Sequence, residues 1–245
     1  MNQDLWELYA QLRCAHLVDL THTFYPTQPH FPGDPVEERT EITNIADSGY
    51  AVTQYRLVGQ WGTHIDAPAH FLQSGRTVDR IDTDDMISPL VVLDCHRDVQ
   101  TNPDFQLDKK ALVSWEATYG PIPENSFVAF RSDWSKRWPD QHALLGLDNH
   151  GHRHSPGWTV DAINFLVQHR GIRAIGHETF DTDPGFLVDR GEMPAQYAIL
   201  AHDRWQIELL TNLDKLPARG GLLWASWPKP LGGTGFPARA IALIS

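Results

Sequence analysis

The chain has few cysteines, no long apolar run and no block of basic residues, and each absence excludes a class of protein. Only Cys14 and Cys95 occur among 245 residues. Two cysteines are too few for a disulfide framework, and this pair is not spaced as metal ligands are. No apolar stretch approaches the roughly 20 residues that a membrane-spanning helix needs. Residues 1–7 lack the basic and apolar regions of a signal peptide. These features predict a cytoplasmic protein with reduced thiols.

The charge balance is acidic, which narrows the choice of partners. The sequence contains 31 Asp and Glu against 20 Lys and Arg, a formal net charge of −11. An acidic chain without a basic cluster is not expected to bind nucleic acid or an anionic membrane surface. The length fits one large domain or two small ones. Because no linker or internal repeat interrupts the chain, we predict one domain over residues 1–245.

The hydrophobic pattern predicts helices and strands in alternation. Residues 90–94 and 126–130 are apolar runs typical of buried strands. Thr159 can cap a helix that Gly171 ends, and an apolar strand follows at residues 172–175. A strand, helix and strand in this order are typical of parallel pairing.

The N-terminal segment predicts a short amphipathic helix within residues 1–15. Its apolar residues recur at helical spacing, and Asn2 or Asp4 can cap its start. We expect its apolar face to cover the sheet or another subunit. Farther along, four prolines keep residues 25–35 irregular.

The densest group of chemically active side chains lies in residues 60–70. We predict that the strand-like residues 53–58 run into this segment, so that His64, Asp66 and Gln60 share one face of an extended chain. Pro68 ends the strand, which lets His70 turn back towards the pair. Imidazole nitrogens and carboxylate oxygens are ordinary ligands of divalent metals. The alternative is a surface loop that carries two of the 13 histidines by chance.

Residues 60–70 resemble a known signature, His-x-Gly-Thr-His-x-Asp-x-Pro-x-His, of the cyclase superfamily of metal-dependent hydrolases. Bacterial kynurenine formamidases and isatin hydrolases belong to it. Further segments that resemble the family are residues 19–22, 31–34, 171–176, 211–214 and 232–235. The resemblance implies an α/β fold of the swivelling β/β/α type, a single domain whose mixed β-sheets form a barrel-like core flanked by helices.

The resemblance also implies a metal site, with two substitutions. Some members hold two zinc ions. The first His, the second His and the Asp of the signature bind one ion, and a later His and a Glu twelve residues beyond it bind the other. Gln60 stands at the first of these positions and Gln196 at the later one, with Glu208 twelve residues on. Amide and carboxylate oxygens suit manganese better than zinc. We therefore predict one divalent ion held by His64, Asp66 and Gln196, with Mn²⁺ favoured over Zn²⁺, as in isatin hydrolases, which also use a glutamine.

Two residues are predicted to act in catalysis beside this ion. In the family the last His of the signature accepts and donates the proton, a role that falls to His70. Glu208 could bind the metal directly, or could orient a water molecule or Gln196. We expect Gln60 and Thr63 to support the site from outside the ligands, Thr63 by steadying the turn.

Two aromatic residues are predicted to contact the substrate. In kynurenine formamidases an aromatic residue just before Pro-Gly-Asp lies on the substrate ring, and that position is Phe31 here. Trp61, inside the signature, is the second candidate for flanking a flat ring. His150, His152 and His154 match no family ligand position, and we interpret them as loop residues without a metal. The family usually has Gly-Ile-Asp where residues 177–183 stand here, and we interpret the polar groups of this segment as bracing a loop.

A metal site of this kind predicts hydrolysis. A divalent ion lowers the pKa of water from 15.7 towards about 7 and stabilises a developing oxyanion. We predict cleavage of an amide or cyclic amide on an aromatic compound, either N-formylkynurenine or isatin, with the two glutamines favouring isatin or a related lactam or lactone. The alternatives are a metal-dependent cyclase or dehydratase and a non-catalytic metal-binding protein. The resemblance further implies a homodimer or homotetramer.

Overall fold

A computed structural model describes residues 4–245. Its strands are β1 (His16–Asp19), β2 (Glu38–Thr43), β3 (Val52–Arg56), β4 (His64–Asp66), β5 (Ile87–Asp94), β6 (Gln106–Leu107), β7 (Phe127–Arg131), β8 (Gly157–Trp158), β9 (Ala174–His177), β10 (Trp205–Glu208), β11 (Gly221–Ser226), β12 (Gly235–Pro237) and β13 (Arg239–Ile244). Its helices are α1 (Leu5–Leu12), α2 (Ile45–Ser48), α3 (His96–Thr101), α4 (Lys109–Tyr119), α5 (Gln141–Leu145), α6 (Val160–Arg170), α7 (Gly185–Val188) and α8 (Pro194–Ala201).

Nine strands form one sheet in the order β1-β13-β11-β5-β7-β9-β10-β4-β12. The four central strands, β5, β7, β9 and β10, are parallel, and the strands on either side pair antiparallel. The sheet curls into a half-barrel that helices flank, which confirms the predicted α/β class. The predicted order of strand, helix and parallel strand is confirmed by β7, α6 and β9.

The central strands are buried on both faces, because their side chains alternate between two hydrophobic clusters. Val91 and Leu93 of β5 belong to the cluster that includes residues of α4, α6 and α8. Leu90 and Val92 point the other way, into a cluster lined by the curled sheet itself. A strand buried on both faces reads as a continuous apolar run, which explains the pattern of residues 90–94.

The prediction of one strand running into the signature is wrong. β3 ends at Arg56 and pairs with β2 in a separate two-stranded ribbon, and β4 begins only at His64. Gly62 has a φ of +64° between them, a left-handed conformation that interrupts extended backbone. Gln60 therefore lies in a turn, whereas His64 and Asp66 are extended as predicted.

The N-terminal helix is confirmed in position. α1 begins at Leu5, where Asp4 accepts a hydrogen bond from the Trp6 N–H, and the alternative cap Asn2 lies outside the described residues. No residue of α1 is buried, so it does not cover the sheet within the chain. Between residues 4 and 245, no helix is long and apolar enough to cross a membrane.

Candidate metal centre and active site

Strand registers bring the candidate site together. β10 lies between β4 and β9, and the antiparallel β10–β4 register places Glu208 opposite His64 and Gln206 opposite Asp66. Residues paired across neighbouring strands lie side by side. His64, Asp66 and Glu208 therefore form a compact buried group, in which one ligand atom from each lies within 4.8 Å of the others. We call these three residues the triad.

The orientation of His64 is set by its own turn. Its Nδ1–H donates to the carbonyl oxygen of Gly62 over 2.8 Å, which directs Nε2 towards the two carboxylates. Nε2 lies 3.4 Å from Glu208 Oε2 and 3.6 Å from Asp66 Oδ1. An imidazole held in this way presents one free nitrogen to a metal ion.

Asp66 and Glu208 stabilise a positive charge on His64. Burial alone would lower the pKa of His64, but Asp66, Glu208 and the Gly62 carbonyl outweigh it and raise that pKa to about 9. Burial would likewise raise the pKa of Glu208, yet the rings of His177 and His64 lower it to about 2. The imidazolium and the carboxylates stabilise each other, and a divalent ion would supply the same positive charge.

Gln196 reaches the triad from the start of α8. Asp183, a buried carboxylate, accepts hydrogen bonds from the backbone N–H groups of Ala195 and Gln196 at 2.8 and 2.9 Å. The Gln196 side chain then lies beside Asp66, with Nε2 3.4 Å from Oδ2.

The donor atoms fit a divalent ion. Gln196 Oε1 and His64 Nε2 are buried, and neither has a hydrogen-bond partner among residues 4–245. A buried polar atom without a partner is costly, and coordination removes that cost. One imidazole nitrogen and two carboxylates therefore lie within 4.8 Å of one another, and the Gln196 amide lies beside Asp66.

His70 turns back towards the triad, as the sequence predicts. A 3₁₀ turn over Pro68–His70 places its Nε2 3.9 Å from Asp66 Oδ1. The amide of Gln60 lies between them, 3.3 Å from Asp66 Oδ1 and 3.4 Å from His70 Nδ1. About a third of the His70 side chain is exposed, at 31%, whereas Asp66 is fully buried. His70 can therefore exchange protons with the cavity.

Thr63 lies beside the signature turn and joins two segments. Its Oγ1 donates to the Leu209 carbonyl oxygen over 2.6 Å and accepts a hydrogen bond from the His22 N–H over 3.0 Å. Thr63 thereby links the signature to the end of β10, and its steadying role stays a prediction.

A cavity of about 400 Å³ opens onto the triad. Phe31 lines it together with other apolar side chains, Val58, Phe71, Phe180, Met193 and Leu209. Trp61 is fully buried, at 0% exposure, and packs against His30 with ring centroids 5.3 Å apart. The structure thus brings Phe31 to the cavity and leaves Trp61 outside its lining.

Two site residues are missing from the sequence-based set. Gln206 donates from Nε2 to Asp66 Oδ2 at 3.1 Å and to Glu208 Oε1 at 2.9 Å, so it holds both carboxylates. His177, interpreted from the sequence as part of a bracing loop, lies with Nε2 3.4 Å from Glu208 Oε1. Gln206 and Glu208 are two residues apart on a strand and therefore share one face. This spacing could have revealed Gln206 as a site residue.

Comparison with known proteins agrees with this geometry. Residues 18–184 match the family model described as Putative cyclase. The isatin hydrolase of Roseibium aggregatum is 35% identical over 94% of this chain and 92% of its own length. The kynurenine formamidase of Salinibacter ruber is 25% identical over 92% of this chain and 96% of its own.

Solved structures show the same fold. Isatin hydrolase A from Ralstonia solanacearum superposes with a TM-score of 0.91 at 32% identity, over 100% of this chain and 98% of its own. An isatin hydrolase bound to the product analogue thioisatinate gives a TM-score of 0.90 at 34% identity, over 98% of this chain and 97% of its own. The family match and the identity to these relatives extend over most of the sequence. The chain therefore belongs to the Putative cyclase family of metal-dependent hydrolases.

Proposed function

We propose that this protein is a metal-dependent hydrolase that cleaves an amide or cyclic amide of a small aromatic compound. The observation that carries the proposal is the buried triad beside a partly apolar cavity, with His70 at its edge. The relatives named isatin hydrolase and kynurenine formamidase support it. We place isatin first and N-formylkynurenine second as substrates.

We propose that His64, Asp66 and Gln196 hold one divalent ion. A cation in such a site acidifies water and polarises a carbonyl oxygen. Glu208 belongs to the same compact group, and we propose that its carboxylate completes the donor set. Because three of these four donors are oxygens, Mn²⁺ is favoured over Zn²⁺.

His70 is the proposed proton-transfer residue. It takes a proton from the attacking water and returns it to the leaving nitrogen of the amide, which general acid–base catalysis requires. Its contact with the Gln60 amide at 3.4 Å orients the ring at the cavity edge. Phe31 lies in the cavity wall, where an aromatic side chain can pack on a flat substrate ring.

Metal analysis joined to an activity panel tests this proposal. The purified protein should contain about one Mn²⁺ per chain and should hydrolyse isatin or N-formylkynurenine with consumption of water. Asp66→Ala should lose both the metal and the activity, because it removes the carboxylate shared by Gln60, Gln196 and Gln206. Asp34→Ala, which removes another carboxylate of the cavity lining, should keep the metal. Retention of metal and turnover by Asp66→Ala would overturn the assignment.

We further propose a cytoplasmic homodimer or homotetramer. The β2–β3 ribbon, the α2 helix that connects its strands, and α1 support self-association, because their apolar side chains, among them Trp6, Tyr9, Ile42 and Ile45, are exposed in the single chain. A two-stranded ribbon is marginally stable without a covering partner. The two free cysteines, Cys14 and Cys95, support a reducing compartment.

A further inference from the structure

The histidine-rich segment, residues 148–154, carries one side chain directed inward, and it is an arginine. His150 and His152 are exposed, and His154 Nδ1 pairs with Asp104 Oδ2 at 2.8 Å. None of these three histidines lines the cavity described above. Arg153, between them, has only 16% of its side chain exposed.

Arg153 contacts two residues of the cavity wall. Its guanidinium carbon lies 5.4 Å from the centroid of the Phe31 ring, within the range of a cation–π interaction. Its Nη1 lies 3.7 Å from Asp181 Oδ2. Phe31 and Asp181 both line the cavity, and they come from segments 150 residues apart in the sequence. Arg153 therefore joins the proline-rich loop to the loop after β9.

Arg153 is itself anchored from the far side. Its backbone N–H donates to Asp189 Oδ2 over 2.7 Å, and its Nε lies 3.4 Å from Asp189 Oδ1. The planar guanidinium can contact a ring and two carboxylates at once, which a lysine ammonium cannot do in the same geometry.

Arg153 is the cation among the charged groups that act on the buried Asp181. Burial raises the pKa of Asp181 to about 8, and the negative charges of Glu208, Asp183 and Asp66 add to that effect, while Arg153 opposes it. Arg153 thus partly offsets the effect of burial on the Asp181 side chain, from which its Nη1 lies 3.7 Å away.

We propose that Arg153 is a positioning residue that holds the Phe31 ring and the Asp181 side chain in the cavity wall, and so sets the affinity of the site for an aromatic substrate. This inference rests on the proposed function, since it concerns the same cavity. The histidine-rich segment then places Arg153 beside the cavity wall.

The test compares Arg153→Met with Arg190→Met in the manganese-loaded enzyme. Arg190 lies 5.8 Å from the Phe186 ring and is exposed, so its variant removes a cation–π pair outside the cavity lining. Arg153→Met should raise KM for isatin about tenfold with a smaller change in kcat, because a loosened ring contact weakens substrate binding. Arg190→Met should leave both constants unchanged. If Arg153→Met instead lowered kcat and left KM unchanged, the loss would reflect a smaller fraction of folded enzyme. That result would overturn the proposal.

A second pair of measurements separates this inference from the proposed function. Calorimetry with thioisatinate should show weaker binding to Arg153→Met than to the wild type, whether or not isatin is turned over. Arg153→Lys keeps the charge and should fall between the two. In a Phe31→Leu background, Arg153→Met should change KM less than about threefold, because the ring that it positions is gone. Equal effects in both backgrounds would contradict the proposal.

Discussion

At the scale of single residues, the triad joins three titratable groups whose charges depend on one another. His64 stays protonated well above neutral pH, because it faces Asp66 and Glu208 at 3.6 and 3.4 Å. A metal ion needs the neutral imidazole, so binding must displace that proton. Proton release thus becomes a measurable property of the site.

Metal affinity should rise with pH. Because the pKa of His64 is raised to about 9 in the metal-free protein, one proton is released on binding at any lower pH. Glu208, with its pKa lowered to about 2, is already ionised and releases none. The apparent association constant for Mn²⁺ should increase about tenfold per pH unit between pH 6 and 8 and level off near pH 9. Calorimetry in buffers of different ionisation enthalpy measures this release, and a flat profile would contradict the prediction.

Glu208 and Glu178 offer a matched pair of buried glutamates. Glu208 belongs to the triad, whereas Glu178 accepts hydrogen bonds from Ser132 and Ser135. Glu208→Gln should weaken Mn²⁺ binding by about 10- to 100-fold, because a charged donor is lost. Glu178→Gln should keep the metal affinity and lower only the thermal midpoint. Equal metal affinities for the two variants would contradict a metal-binding role for Glu208.

Substitution of His70 separates proton transfer from metal binding. His70→Gln should retain Mn²⁺ and lower kcat by about 10²- to 10⁴-fold, since a positioned general acid–base contributes about that much. The matched control is His169→Gln, which removes an imidazole packed on Phe165 in α6. A His70→Gln variant with normal kcat would exclude the proposed role.

At the scale of elements, the site depends on how α8 begins. Asp183 lies outside the helix and caps it through two backbone N–H groups, one of which belongs to Gln196 itself. The ordinary capping position is held by Met193, whose side chain makes no capping hydrogen bond. The cap therefore couples the stability of α8 to the placement of the Gln196 side chain beside Asp66.

Asp183→Ala should affect stability and metal binding together. Removing the cap should cost about 1–2 kcal/mol of stability and should also weaken Mn²⁺ binding, because Gln196 loses its anchor. Thr159→Ala is the control, since Thr159 caps α6, which carries no residue of the site. It should cost about 1 kcal/mol in the free energy of unfolding and leave metal affinity unchanged. Unchanged metal affinity in Asp183→Ala would show that the cap does not position Gln196.

At the scale of the whole molecule, two hydrophobic clusters share the strands of one sheet. This arrangement supports our proposal that residues 1–245 act as one domain. The β2–β3 ribbon stands apart from that core, with β2 and β3 paired only with each other among the described strands. Its exposed side chains are therefore the natural place to test self-association.

The mass of the protein in solution tests the assembly. Light scattering should give two or four times the 27.7 kDa of the chain. Ile45→Glu, which places a charge on the exposed apolar ribbon turn, should shift the mass towards the monomer. Leu231→Glu changes a still more exposed apolar residue outside the ribbon and α1, and it should not shift the mass. A monomeric wild type would refute the assembly.

Local features were predictable from the sequence. The cap and stop of α6 at Thr159 and Gly171, the shared face of His64 and Asp66, and the turn after Pro68 all follow from backbone sterics over a few residues. The break before β4 was not predicted, because residues 53–58 have strand character wherever they pair, and their partner in the structure is β2.

The sequence by itself determined the signature and its turn, because these depend on residue type and short-range spacing, and its resemblance to the family implied the fold class. Only the tertiary structure decided that Gln206 and His177 reach the triad and that Trp61 is buried away from the cavity. The register of β10 against β4 joins residues more than 100 positions apart, and its register against β9 joins residues 31 positions apart. Such pairings are set by how the whole sheet buries its two apolar faces, which no local pattern specifies.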